Sequence, residues 1–466
     1  MSASKIHIKH PRVGMSAHIR TLIQVSLPLA LAQLAEMAMG VTDTILLGSL
    51  GVDAVAIGGI SNNFFFTTMI SFQAVLGGVG VLLSHARGGV EHGHHGGHDK
   101  RSIISAGVMV ALLAFIPCLL ILLCSSPIFT WMGEPDLVVT QGGRFIDVLL
   151  YALLPNLVLL GLCRVALPSL GAESLLLWTM PIMAVCNGVL NAALIHGWFG
   201  LPAYGLFGSA HATMLTGWGA SLVLLGLCLR KANLRALLKP MKVRLSLIKE
   251  LLHLGLPMMV TATAELLLFQ ITTLNAGRLG THSLAAHQVA LNTISLFFMV
   301  CLAIGQAANV RVAYWRGAKR PLEACRASSG ALLLVLLWTI LTGLVLMLSP
   351  DWIARLYYTG TPPDAGTFAK TVLLLKIAGI FQIVDGIQAV CNGALRGCGD
   401  TVVPMVISIV TYGLVGIGLG YWLAFCQGYG VKGLWIGLAA GLGVTAVALG
   451  LRLYMLLYRR VGSVSS

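Results

Sequence analysis

Charge is scarce in this sequence. Its 466 residues hold 16 acidic and 30 basic side chains, and charged types make up 10% of the whole. Soluble domains carry about 25%, so an ordinary water-solvated globule is excluded. Hydrophobic residues reach 57% and mean hydropathy is +0.89. The ten cysteines show no metal-type spacing; Cys118, Cys163, Cys186 and Cys391 fall in apolar runs, where packing is their expected role. No nucleophile–base set of an enzyme stands out, and no enzymatic activity is expected. A cleavable signal peptide is not expected either: the first apolar run is too long and no clear small-residue cleavage site follows.

What is abundant is apolar sequence. Twelve runs are long enough to cross a hydrocarbon core about 30 Å thick, near 20–48, 54–83, 102–124, 143–163, 172–196, 207–229, 251–277, 283–310, 327–348, 371–394, 401–425 and 432–454. Backbone polar groups in lipid must pair within their own segment, so these runs are expected to be helices. The net charge of +14 raises nucleic acid as a partner, but its distribution argues against one. Of the 30 Lys and Arg, 24 fall in the tails and the loops after even-numbered spans, and six (Arg144, Arg278, Arg355, Lys370, Lys376, Lys432) on the other side. The positive-inside rule then predicts both termini in the cytoplasm, with contact to anionic membrane lipid.

The chain repeats itself. Pro28, Glu36, Gly48, Leu50, Gly51, Arg87 and Gly88 match Pro257, Glu265, Gly277, Leu279, Gly280, Arg316 and Gly317, every pair 229 residues apart. Six spans per repeat is an even number, so both halves enter the membrane from the same side as parallel repeats. The expected fold is an all-α integral membrane protein of twelve transmembrane helices in two six-helix bundles. Its parts are a cytoplasmic N-tail (1–19), an N-terminal bundle (20–229), a basic linker (230–250), a C-terminal bundle (251–454) and a C-tail (455–466). Two similar bundles around a cavity suit alternating access by rocking.

Carboxylates inside spans are costly, at least about 2.5 kcal/mol each at a helix centre. The candidates are Glu36, Asp43, Glu265 and Asp385. Glu36 and Glu265 each follow a basic anchor by 16 residues, which puts them roughly 24 Å in. Asp385 precedes Arg396 by 11 residues, roughly 16 Å in. Their functional reading is a proton or cation site; the plainer readings are a solvated helix end for Asp43, a lumen-facing polar residue for Glu36, and a structural ion pair or satisfied polar contact for Glu265 and Asp385. Asn187 and Asn191 are one helical turn apart and share a face; interhelical hydrogen bonding is their default role.

"GVTDTILLGSLG", "LAAHQVALN", "FQIVDGIQAVCNGALRGCGDT" and the 6+6 repeat resemble the multidrug and toxic compound extrusion family, in particular its NorM-like bacterial branch, over nearly the whole chain. The resemblance implies an efflux antiporter of the bacterial inner membrane, a monomer without cofactor, exporting small-molecule drugs and toxic organic cations against sodium ions or protons. It implies Glu265 and Asp385 as coupling-cation ligands, and Asp43, Asn187, Asn191 and Thr213 as proton- or substrate-binding residues of the N-half. Two departures stand out. Relatives coupled to sodium carry a tyrosine one turn before the tenth-helix acid, where this chain has Phe381; and Glu36 is an additional acid, for which a second titrating site is the hypothesis.

A sharper-looking motif is "VEHGHHGGHDK", with His92, His94, His95 and His98 near Glu91 and Asp99. Imidazoles so spaced are weak metal candidates, and the glycines point to a solvated loop. His287 reads as a packed, hydrogen-bonded helix residue. Phe64, Phe65, Phe66, Phe297 and Phe298 read as packing or as drug-facing rings. The rival functions are a flippase of a lipid-linked precursor in the same superfamily, a metal transporter and a membrane enzyme.

Overall fold

The structure is a computed structural model that describes residues 13–94, 97–239, 241–358 and 364–458. Among the described residues twelve helices are long and apolar enough to span a membrane: α1 Met15–Gly48, α2 Val52–Glu91, α3 Lys100–Leu123, α4 Asp136–Leu170, α5 Ser174–His196, α6 Leu206–Arg230, α7 Leu245–Arg278, α8 Thr281–Gly317, α9 Pro321–Leu348, α10 Ala365–Gly397, α11 Val402–Cys426 and α12 Gly430–Leu457. Among the described residues there is no strand. Short helices Ser125–Met132 and Pro350–Tyr357 follow α3 and α9, and Ala232–Leu237 lies in the linker. The helices outrun the apolar runs at several ends. Arg87, Arg164, Arg311, Arg316, Arg396 and Arg452, expected in loops or tails, are therefore helical residues.

In the N-half α1 packs on α5, α5 on α6, and α4 on α2 and α6; in the C-half α10 packs on α8, α9 and α12. The repeat is visible in the backbone. Gly51 and Gly280 precede α2 and α8 with φ of 113° and 100°, a left-handed conformation in which a Cβ is strained. Pro28 and Pro257 sit inside α1 and α7.

The two bundles meet at the face carrying the linker, called here the basic face. There α2 packs on α7 and α8, and α1 on α8 and α9. A Cβ on Gly88 would lie 1.9 Å from the Tyr314 carbonyl oxygen, and one on Gly317 would lie 1.9 Å from that of His85. Both pairs are related by the 229-residue repeat, so α2 and α8 cross on the pseudo-two-fold axis, backbone on backbone. His18 Nε2 meets Glu323 Oε2 at 2.8 Å, Tyr314 donates to Glu91 Oε2 at 2.6 Å, and His98 Nε2 meets Glu250 Oε2 at 2.9 Å. The apolar residues shared by the bundles, Leu22 to Ala35 of α1 with Cys301 to Ala308 of α8, also lie toward this face. The far-face end of the C-half instead buries its own core around Phe381, Trp435 and Leu438. The bundles are closed against each other at the basic face.

One irregularity sets the direction of a charged side chain, Arg164 of α4. Residues Leu154–Leu160 of α4 form a π-helical stretch with Pro155 near its start. Pro155 has no N–H, which frees the carbonyl of Tyr151. Trp218 Nε1 donates to that carbonyl at 3.0 Å, Ser221 Oγ to Pro155 O at 3.0 Å, and Gln73 Nε2 to Asn156 O at 3.1 Å. The wide turn is thus held open by donors from α2 and α6.

Candidate functional site: two polar centres, one in each half

The N-half centre is built by α1, α5 and α6. Asp43 is 4% exposed although it lies near the far end of α1, so it is not a solvated helix end. Asn191 Nδ2 donates to Asp43 Oδ1 and is 3.3 Å from Ser209 Oγ. One turn along α5, Asn187 Nδ2 donates to Thr216 Oγ1 at 3.4 Å. Buried polar atoms are nearly always paired, yet Asn187 Oδ1, Asn191 Oδ1 and Thr213 Oγ1 are buried without a partner. The centre therefore presents a carboxylate and three unpaired oxygens, which accept a proton donor or coordinate a cation. Ser209 and Thr216 were not singled out in the sequence, although Ser209, Thr213 and Thr216 form an i, i+4, i+7 polar stripe on α6.

Glu36 is not part of this centre. Its Oε2 accepts from Arg164 Nη1 at 2.7 Å, with side chains 29% and 23% exposed. Glu36 thus has a counter-ion from α4, beyond the π-helical stretch.

The C-half centre lies between α7, α8 and α10. Glu265, Gln306, Asn309, Gln388, Asn392 and Arg396 line one cavity, with Phe298 on its wall. Asp385 is not on that wall; it is enclosed on α10 at 3% exposure, with Oδ1 unpartnered. Asp385 stands one turn before Gln388 on α10, and Glu265 and Arg396 share the cavity wall. Gln388 Nε2 donates to Tyr412 Oη at 2.7 Å, while Gln388 Oε1, Asn309 Oδ1 and both polar atoms of Gln382 have no partner. Arg396 is fixed by donating from Nε to Asn392 Oδ1 at 3.1 Å. The two halves thus carry a comparable Glu–Arg couple, Glu36 with Arg164 and Glu265 with Arg396. The first is closed as an ion pair; the second stands apart across a cavity. Gln306, Asn309, Gln388 and Arg396 were missed as site residues; Arg396 served only as a topological marker.

Phe381 is fully enclosed, edge-to-face with Phe269 and Trp435 at centroid distances of 6.3 and 5.7 Å. His287 is also fully enclosed. Trp435 Nε1 is 3.1 Å from His287 Nδ1, and His287 Nε2 is 2.9 Å from Thr273 Oγ1, which donates to Phe269 O. An indole N–H only donates, so Nδ1 accepts and Nε2 carries the hydrogen; every polar atom of the ring is satisfied. Phe65 is in the N-half core, Phe64 packs on Phe129, and Phe66 on Phe65.

The described histidines of the loop do not gather into a metal site. His92 Nδ1 is 3.0 Å from the Gly88 carbonyl and its ring packs on Tyr314 and Trp315. His98 turns to Glu250, and His94 hydrogen-bonds through its backbone N–H to Gly89 O. His95 lies outside the described residues. Among the described residues no group of three or more His, Cys, Asp or Glu is placed to hold a metal ion.

Fold and centres together define a class: a polytopic membrane protein made of two fused six-helix repeats, each enclosing a carboxylate among unpaired polar groups. A family model described as MatE matches residues 28–195 and 257–422, and the chain belongs to that family. It is 43% identical over 95% of both chains to a protein named multidrug resistance protein NorM from Burkholderia vietnamiensis. It is 30% identical to a probable multidrug resistance protein NorM from Rhizobium meliloti, over 95% of this chain and 94% of that one. The fold matches a solved structure described as MATE in the bent conformation, with TM-score 0.84 at 16% identity over 98% and 100% of the two chains. It also matches the eukaryotic MATE transporter AtDTX14, with TM-score 0.83 at 22% identity over 95% and 96%.

Proposed function

We propose that this chain is a secondary active multidrug efflux transporter of the bacterial inner membrane, with both termini in the cytoplasm. It exports cationic or amphiphilic drugs in antiport with sodium ions or protons. The observation that carries the reading is the enclosed Asp43, hydrogen-bonded to Asn191 and flanked by the unpaired oxygens of Asn187, Asn191 and Thr213. A carboxylate kept from water favours whatever neutralises it, a proton or a cation. One occupant at a time is what exchange requires, and a ligand shifts the open–closed equilibrium only through its different affinity for the two states. In the C-half Glu265 and Asp385 bind the coupling cation, with the oxygens of Gln388 and Asn309 within the same polar region. The relatives' names, multidrug resistance protein NorM, support the substrate class. With the basic face cytoplasmic, the closed bundles form the outward-facing state, ready to release drug and admit the coupling ion.

The test is transport of ethidium and of norfloxacin in proteoliposomes, driven separately by a sodium gradient and a pH gradient. One gradient is expected to drive the wild type, and Asp43→Asn and Asp385→Asn to lose most of that transport while still folding. Folded protein that moves neither dye under either gradient refutes the reading and makes a lipid-linked precursor the next substrate to assay.

A further inference from the structure

The linker is the least explained part of the molecule. Between residues 230 and 249 it carries Arg230, Lys231, Arg235, Lys239, Lys242, Arg244 and Lys249 and no acid. All seven cations are exposed. So are Leu238, Met241 and Leu245 in the same segment, at 38%, 45% and 67%. A purely water-facing loop has no reason to show both. Helix Ala232–Leu237 is nonetheless anchored: Leu234 is buried, and the Met241 N–H donates to Ser105 Oγ of α3 at 3.2 Å. Beneath the anchor is an apolar recess between α3, α4 and α6, walled by Ile104, Leu162, Cys163, Leu167, Leu234 and Leu238 among others.

Arg101 stands on α3 one turn before Ile104, with a buried Nε that has no partner. It heads the stripe Ser105, Val108 and Leu112 on α3, of which Val108 and Leu112 are exposed toward lipid. Cations at the mouth of an apolar recess, beside a lipid-facing helix stripe, match one ligand chemistry: a phosphate with acyl chains attached. Basic pockets at this level of a membrane protein bind anionic head groups.

We propose that this corner of the basic face is a binding site for an anionic phospholipid. Its phosphate is held by Arg101 and Arg235, with Lys231 and Lys239 beside it, and an acyl chain enters the recess under the linker. The lipid ties the linker helix to α3. Because the linker is the covalent connection between the bundles, the bound lipid sets how freely they rock. The proposal is independent of what is transported.

The test is native mass spectrometry of the full chain in detergent, titrated with phosphatidylglycerol or phosphatidylcholine of equal chain length. Wild type is expected to prefer phosphatidylglycerol about tenfold, Arg101→Gln/Arg235→Gln to lose the preference, and Arg101→Lys/Arg235→Lys to keep most of it. Unchanged melting in phosphatidylcholine shows that the double variant is folded; if it melts early, Lys231→Gln/Lys239→Gln, at exposed positions, is read in its place. Three results overturn the proposal: no head-group preference in wild type, a preference that survives both neutralised variants, or displacement of phosphatidylglycerol by inorganic phosphate at equal concentration, which marks a bare phosphate site.

Discussion

Gly88→Ala tests the crossing of α2 and α8. The new methyl would lie 1.9 Å from the Tyr314 carbonyl oxygen and 2.7 Å from its carbon. Comfortable contact needs about 3.5 Å, so the helices must part by about 1.6 Å. Both partners are backbone, and neither can rotate aside. Overpacking of this kind costs about 1–3 kcal/mol. The crossing belongs to the state with a closed basic face, so the penalty falls on that state and favours the opposing one by about 5- to 150-fold. The assay is a pulsed-EPR distance between labels, placed by non-cysteine chemistry, at residues 131 and 352. Trp131 and Trp352 are exposed on the two short helices Ser125–Met132 and Pro350–Tyr357, one in each half. The population with the shorter distance should grow. Gly317→Ala should act alike, because its methyl meets His85 O at 1.9 Å. The double variant should add little, since helices already parted admit the second methyl. Gly59→Ala, with nothing within 4 Å of its Cβ, is the control. If Gly88→Ala leaves both the distance distribution and the transport rate at wild-type values, the crossing is not what holds the closed state.

The Glu36–Arg164 pair should behave as structure: Glu36→Gln and Arg164→Gln each lower stability by about 1 kcal/mol, the double variant loses less than their sum, and the pH profile of transport stays put. A shifted profile at unchanged melting temperature would restore Glu36 as a titrating site. Arg396→Gln, by contrast, removes a cation from the cavity of Glu265 and should change the apparent affinity for the coupling ion several-fold, read from the ion dependence of the transport rate; an unaltered affinity dissociates Arg396 from that site. The His18–Glu323 contact is fully enclosed, and Glu323 also lies 3.4 Å from Arg326 Nη1 and 3.6 Å from Arg320 Nη2; Glu323→Gln should lower stability by about 1.5–3 kcal/mol, the worth of hydrogen bonds to a charged group, and a calorimetric change under about 0.5 kcal/mol argues against it. At the start of α10 the Thr367 N–H donates to Asp364 Oδ1 at 2.7 Å, and this backbone hydrogen bond, with His282 nearby, holds the carboxyl below its ordinary range. A depressed folded value means the stabilisation is present above the unfolded pKa and lost as pH falls through the folded one. The melting difference between wild type and Asp364→Ala should therefore be present at neutral pH and close in acid; a difference that persists in acid contradicts the cap.

The twelve spans and the repeat were legible because lipid imposes a run length and the duplication keeps its offset. Helix ends were not. A basic residue suggests the end of a span, yet Arg164 lies inside α4 because its counter-ion, Glu36, comes from another helix 128 residues away. No local pattern reports such a partner. Arg396 also lies inside its helix, but there the partner is local, Asn392 one turn earlier on α10. Asp43, Asn187 and Asn191 were readable as rare polar groups in apolar sequence. Ser209 and Thr216 were not, because Ser and Thr in such helices ordinarily bond their own backbone, as Thr272 does to Leu268 O. The histidine motif shows why closeness in sequence is a weak metal signal: His92 and His98 are drawn apart by Gly88 and Glu250.

The π-helical stretch of α4 acts as a phase shift. A residue advances a helix by about 100°, and a π-bulge inserts one residue into the count. Everything after Leu160 is therefore rotated relative to everything before Leu154. Arg164 faces Glu36, and Ser169 Oγ reaches Gly80 O at 3.0 Å, by virtue of that offset. Deleting one residue between 154 and 160 would leave hydropathy and charge nearly untouched, yet swing Arg164 off α1 and strand both charges in the membrane. In this helix the spacing of residues, as much as their identity, carries the information that pairs one side chain with another.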